Sequence, residues 1–211
     1  MKYAIIGSGA IGSALATRFA AKGVTVGVAT SRGPAAVQPL ADRLGPHVVP
    51  TGVADALQAD VVLLAVPFEA VEGLVTSIPD WGGRIIVDAT NAIDYRDFSP
   101  ADLGGRASSD LLAEWATGAR IVKSFGSTWA KVLARDPGAQ GGRRVMFLAG
   151  NDPAANTEIS SLINELGFAP IDLGRVDAGG LLIQFGGPLT THSFISQPIG
   201  GASPPEMDVI D

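Results

Sequence analysis

The sequence predicts an α/β fold: a doubly wound, mostly parallel sheet with a short C-terminal helical extension. Three observations carry that expectation. Short β-branched runs alternate with helical patterns along most of the chain, as βαβ units require. The run Val61-Val62-Leu63-Leu64-Ala65-Val66 is apolar at every position, as in a strand covered on both faces. A glycine-rich turn leads from the first strand pattern into an Ala-rich helix.

In order, strands are expected over 3–6, 24–29, 61–66, 84–89, 120–124, 145–149 and 170–173, and helices near 10–21, 34–44, 68–77, 111–115 and 153–166. The last helix is the best marked, because Asp152 can cap it and Pro153 suits its first position. The stretch DPGAQGGRR over 136–144 reads as an exposed loop. The Pro- and Gly-rich end, 198–211, has no periodicity and is expected to be disordered or laid over a partner. Neither an internal repeat nor a linker is evident.

With 211 residues, 46% of them hydrophobic, the chain can bury the core of one domain. Its apolar runs fall well short of the ~20 residues of a membrane span, and residues 1–6 enter a strand pattern without a signal peptide, so a soluble cytoplasmic protein is expected. There are no cysteines and only two well-separated histidines, His47 and His192, which leaves no basis for a metal site. The net charge of −6 argues against nucleic acid as a partner, so any anion must be met by local features.

One such feature is the motif Gly7-Ser8-Gly9-Ala10-Ile11-Gly12, a G-x-G-x-x-G turn between strand and helix. Gly7 permits the tight turn, Gly9 lets a pyrophosphate approach the backbone, and Gly12 allows close packing of helix on strand. The pyrophosphate would sit on the helix N-terminus, where free N–H groups and the dipole favour negative charge. About 20 residues further on, where an NAD-specific fold carries an acidic residue, the chain reads Thr30-Ser31-Arg32. Two hydroxyls and a guanidinium suit a 2′-phosphate, which points to NADP.

Three more strand ends face the crevice at the carboxyl edge of such a sheet. Ala65, Val66 and Pro67 would pack on the nicotinamide or its ribose; Ala89, Thr90 and Asn91 would add polar contacts; and Phe125 with Gly126 would wall a ring. Bland alternatives are a helix start for Pro67, a turn role for Asn91 and core packing for Phe125. Lys123 is a candidate proton donor unless it points at a carboxylate, and His192 is a second candidate in a Gly/Pro-rich loop. Neither a Ser-x-x-x-Lys nor a Tyr-x-x-x-Lys pair is read on a helix after the central strands, which disfavours reduction of a carbonyl through an alkoxide. Hydride transfer between two flat rings asks mainly for stacking and water exclusion. The apolar, glycine-rich segment 179–189, including Gly186, Gly187 and Pro188, is expected to wall the acceptor pocket, with a homodimer burying what remains. Residues 1–175 are thus assigned to dinucleotide binding and 176–211 to an extension serving the acceptor pocket or a dimer.

The run GSGAIGSALATRFAAKGVTV with TSR, followed by LLAVPFEAV, IIVDATNAI, IVKSFGST and the helix from Asp152-Pro153 through ELGFAPIDLG, resembles the F420-dependent NADP oxidoreductase family over about residues 1–190. These are compact Rossmann proteins, a fold also used by the reductase domain of membrane ferric reductases. The resemblance implies that Ser31 and Arg32 hold the 2′-phosphate and that hydride passes between nicotinamide and a deazaflavin, coenzyme F420, stacked over it. Gly126 stands where many relatives carry Asn. FMN, FAD or another small electron acceptor is the alternative to F420. Reduction of a small imine or carbonyl, and NADPH sensing without catalysis, are the competing functions.

Overall fold

The computed structural model describes residues 1–197, so the tail over 198–211 lies outside the described residues. The first half consists of strand–helix units: β1 (Tyr3–Ile6), α1 (Ala10–Ala21), β2 (Val26–Ala29), α2 (Gln38–Leu44), β3 (Val48–Pro50), α3 (Val53–Ala56), β4 (Val61–Leu64), α4 (Val71–Val75) and β5 (Ile85–Asp88). A small hairpin of β6 (Ile93–Asp94) and β7 (Ser99–Pro100) comes next, then α5 (Ser108–Trp115), β8 (Arg120–Ser124) and α6 (Ala130–Leu133). The rest comprises β9 (Gly138–Ala139), β10 (Gly142–Gly150), α7 (Pro153–Glu165), β11 (Ala169–Asp172), a π turn at Val176–Gly180, α8 (Leu181–Ile183) and β12 (Ile195–Ser196).

The main sheet has the order β11-β10-β8-β5-β4-β1-β2-β3. It is parallel from β3 to β8 and reverses at β10, which runs antiparallel to β8 and parallel to β11. Alternation along the central strands divides the core in two. Ile5, Leu63, Val87 and Val122 pack under Leu15 and Phe19 of α1 and Ile159 and Leu162 of α7. Ile6, Leu64, Ile86 and Ile121 pack under Val71 and Val75 of α4 and Leu112 of α5, with Trp81. Both faces are covered, which is why these strands read as unbroken apolar runs.

Element ends depart from the sequence expectation for local reasons. The second strand starts at Val26, since Gly23 (φ 68°) ends α1 in the left-handed region and the Val24 N–H donates back to the Phe19 carbonyl at 3.0 Å. The helix expected over 34–44 splits into a 3₁₀ turn at Pro34–Ala36 and α2, because Pro39 can sit only in the first turn of a helix. The elements β3, α3, β6, β7, β9 and β12 are too short for periodicity to reveal.

At the carboxyl ends of β5 and β8, Asp88 and Lys123 face each other in register. Lys123 Nζ lies 3.2 Å from Asp88 Oδ2, with the side chains 1% and 0% exposed. The ammonium also donates to the Thr90 carbonyl at 2.7 Å. Asp88 accepts from the Thr90 N–H at 2.9 Å, the Thr90 hydroxyl at 2.6 Å and the Ser109 hydroxyl. Burial pushes the Asp88 carboxyl up, but the ammonium and these hydrogen bonds outweigh it and hold the group below its ordinary value. The Lys123 side chain is therefore spent on a buried carboxylate, and the expectation of a proton donor there is corrected.

Asp88→Asn should leave a buried ammonium without its counter-charge and cost about 3–5 kcal/mol in urea unfolding. A variant as stable as the parent would show the pair to be dispensable. Because the folded-state value of Asp88 is depressed, its contribution is fully present above the unfolded carboxyl range and is lost as pH falls through and below about 4. The acid limb of the stability profile should accordingly be shallower in Asp88→Asn than in the parent.

Candidate functional site

The carboxyl edge of the sheet is organised by two backbone approaches. Gly7, at φ 110°, donates its N–H to the Ala29 carbonyl at 2.8 Å, and a Cβ on it would overlap the Ala65 carbonyl. A Cβ on Gly12 would overlap the Gly7 carbonyl oxygen. Gly9 differs: its backbone is extended and a Cβ there would meet nothing within 4 Å, so the space in front of it is open. Gly9 is also the N-cap of α1, which has no side-chain cap and no acidic residue in its first turn. By contrast α7 is capped by Asp152, which accepts from the Ala155 N–H at 2.7 Å. The N-terminus of α1 thus presents uncompensated N–H groups and the positive end of its dipole.

A cavity lies on each side of that N-terminus. The first, about 410 Å³, brings together Gly7, Ser8, Gly9, Thr30, Ser31, Arg32, Ala65, Val66 and Pro67, joined by Val53, Ala70 and Leu74. Arg32 is exposed and makes no hydrogen bond or ion pair among the described residues. The second, about 370 Å³, takes Ala10, Ile11, Asn91 and Gly126 from the expected set. Ser127 and Thr128 extend the strand end that Gly126 belongs to, and Phe185 comes from the expected segment 179–189, whereas Ile93, Tyr95, Phe98, Trp129, Thr190 and Thr191 went unassigned in the sequence. Tyr95, Phe98 and Trp129 are exposed aromatics at 63%, 59% and 61%.

Several expected positions fall elsewhere. Ala89 and Thr90 are buried beneath the strand ends, the latter bonded to Asp88, and line neither cavity. Phe125 is fully buried in the core, because its φ of 63° turns the side chain away from the crevice and leaves only Gly126 on the wall. Gly186 packs on Pro100, Gly187 lies against the carbonyls of Leu181 and Leu182, and Pro188 is exposed. Their neighbours Phe185, Thr190 and Thr191 line the wall instead. His192 is exposed beside Phe194 and outside both cavities. Ser127 and Lys131 do have Ser-x-x-x-Lys spacing, but Ser127 precedes α6 and the exposed Lys131 lines neither cavity.

The C-terminal segment is pinned in place by three hydrogen bonds. The Ser108 N–H donates to Gln184 Oε1 at 3.0 Å, the Thr190 hydroxyl to the Gln184 carbonyl at 2.7 Å, and the Thr191 N–H to the Ser127 carbonyl at 2.7 Å. Phe185 packs edge-on against Phe98 at 5.4 Å between ring centres. Four non-glycine residues among those described have positive φ; Phe98 and Thr191 line the second cavity, and Phe125 immediately precedes its Gly126. Such conformations cost energy and gather at ligand clamps. Asn91 donates Nδ2–H to the Gly126 carbonyl at 3.0 Å, while its buried Oδ1 has no partner among the described residues. A buried orphan acceptor beside a cavity marks a place for a ligand donor. Among the described residues no cluster of His, Asp and Glu could hold a metal, and no helix is long and apolar enough to cross a membrane.

Comparison with known proteins agrees with this architecture. Residues 2–92 match the model of the family described as NADP oxidoreductase, coenzyme F420-dependent. The crystal structure of a hypothetical protein from Sinorhizobium meliloti superposes with a TM-score of 0.91 at 50% identity, covering 93% of this chain and 96% of that one. A candidate F420-dependent NADP-reductase from Arthrobacter sp. FB24 superposes with a TM-score of 0.65 at 27% identity, covering 83% and 86% of the two chains. Metalloreductase STEAP3 of Rattus norvegicus is 27% identical over 178 residues, 83% of this chain and 34% of that protein, so the chain spans about a third of its length. The glycine turn and the sheet agree with these matches, and over residues 2–92 the chain is similar to the coenzyme F420-dependent family of NADP oxidoreductases.

Proposed function

We propose that the chain passes hydride between NADPH and a flat, flavin-like acceptor ring, with F420, FMN and FAD as the acceptor types to be tested. The observation that carries this reading is the pair of cavities flanking the N-terminus of α1, one with Arg32 and hydroxyls, the other neutral and aromatic. Thr30, Ser31 and Arg32 would hold the 2′-phosphate, and the uncapped N–H groups of α1 the pyrophosphate. Val66 and Pro67 would pack on the ribose side, and Asn91 Oδ1 would accept from a carboxamide or ring N–H.

Bound NADPH supplies the hydride, both electrons leaving with it. Around the acceptor, Trp129, Phe98 and Phe185 would exclude water and hold the ring flat. Among the described residues the lining of the second cavity contains no His, Lys, Arg, Asp or Glu, and its one phenol, Tyr95, is largely exposed and hydrogen-bonded to no group that would relay a proton to an alkoxide or imine nitrogen. This favours ring-to-ring transfer over reduction of a carbonyl or imine. Following NADPH absorbance with F420, FMN and riboflavin present in turn tests the reading; binding of NADPH with no oxidation by any ring would favour a sensing module instead.

Two substitutions probe the cofactor half. Arg32→Ala should lose one charge-assisted contact of about 1.5–3 kcal/mol, weakening NADPH binding roughly 10- to 100-fold while NADH binding barely changes. Equal weakening of both in calorimetric titrations would remove Arg32 from the 2′-phosphate. Gly9→Val adds a side chain where no protein atom stands, so circular dichroism and melting should stay near those of the parent while binding of both dinucleotides collapses. Normal NADPH binding by this variant would make the turn purely structural.

A further inference from the structure

The two cavities differ in how they meet charge. Both border the N-terminus of α1, the first at Gly9 and the second at Ala10 and Ile11, but only the first adds a guanidinium, that of Arg32, which has no partner among the described residues. The second has a carboxamide, hydroxyls and three large exposed aromatics, and none of its lining residues among those described is charged. The cation nearest in sequence to its hairpin wall, Arg96, is held by Asp94, with Nε at 2.9 and 3.0 Å from the two carboxylate oxygens. Residues 198–211 contain no Lys or Arg, and the whole chain has a net charge of −6. A phosphate or carboxylate brought into this cavity would lose its hydration and meet no charged side chain among the described lining residues, only the flank of α1 at Ala10 and Ile11, which is costly. A neutral ring would lose only apolar contact with water and gain stacking.

Resting on the hydride-transfer reading above, we infer that the second cavity selects an uncharged aromatic ring system and takes no binding energy from a phosphate or carboxylate tail. The acceptor class is a neutral flavin, deazaflavin or similarly flat two-electron ring. Its reduction takes the hydride from the dihydronicotinamide and one proton from water, leaving NADP⁺ and the dihydro ring. The phosphorylated or carboxylated tail of a larger coenzyme would remain in solvent.

The test is steady-state NADPH oxidation at saturating NADPH with two matched pairs: riboflavin against FMN, and the tail-free deazaflavin alcohol against F420. Each pair is compared at ~50 and ~500 mM salt, conditions that differ strongly in charge screening. The inference expects kcat/KM within about threefold inside each pair, or higher for the tail-free member, with no salt dependence. A larger advantage for the tailed member, lost at high salt, would overturn it and leave the hydride-transfer reading intact. If NADPH binds by fluorescence titration but none of the four rings is reduced, that reading itself fails and the inference with it. Trp129→Ala tests the location: kcat/KM for riboflavin should fall about tenfold with NADPH affinity unchanged. An unchanged kcat/KM would place the acceptor elsewhere. Because Trp129 is largely exposed, the variant should fold as the parent does.

Discussion

Two backbone approaches that leave no room for a Cβ hold this site together: Gly12 against the carbonyl of Gly7, and Gly7 against the carbonyl of Ala65. The first sets α1 directly on the end of β1. The second draws β1 and β4 together at the point where the strand order changes direction, with β2 and β3 on one side and β5 and β8 on the other. In an open α/β sheet that switch point is where a crevice opens. With the helix axis fixed there, its N-terminus can only point into the crevice and divide it. Both cavities are consequences of that placement, since Gly9 faces one and Ala10 and Ile11 face the other.

The parallel half of the fold was legible because its residues carry strong local constraints. The glycine spacing, the unbroken apolar strands and the Asp152-Pro153 start each have one dominant structural meaning. The reversal at β10 was hidden, because a strand covered on both faces reads alike in either direction. The grouping of Thr30, Ser31 and Arg32 with the glycine turn was readable for the same reason, since their distance from the glycines places them at the end of β2, and they line the first cavity together. The second cavity was readable only in part, through Gly126 and the segment that supplies Phe185. Its aromatic wall comes from the β6–β7 hairpin, the loop after β8 and the segment after α8, none of which has a period to read. Phe125 shows the limit plainly. Its place at a strand end suggested the crevice, but a left-handed backbone, which nothing in its residue type announces, turns it into the core.

Behind the Asn91 wall of the second cavity lies the buried pair of Asp88 and Lys123. It closes the carboxyl ends of β5 and β8 and, through the Thr90 carbonyl, fixes the turn from which Asn91 hangs. Asn91 in turn grips the Gly126 carbonyl at the end of β8. The floor of the second cavity is therefore a closed ring of hydrogen bonds across two strands, stiff before any ligand arrives. The ring stacking proposed for this cavity would need such a floor, since stacking falls off quickly when a ring can tilt.

The family match ends at residue 92, and the second cavity is built almost entirely from residues beyond that point: of its lining residues only Ala10, Ile11 and Asn91 lie within the matched stretch. The first cavity, by contrast, is lined wholly from within that stretch, so the two cavities are written in largely separate parts of the gene. Under the hydride-transfer reading proposed above, drift in the later part would retune which molecule is reduced without disturbing how the nucleotide is held. Kinship judged from the N-terminal half alone would then inform about the electron donor and be nearly silent about where the electrons go.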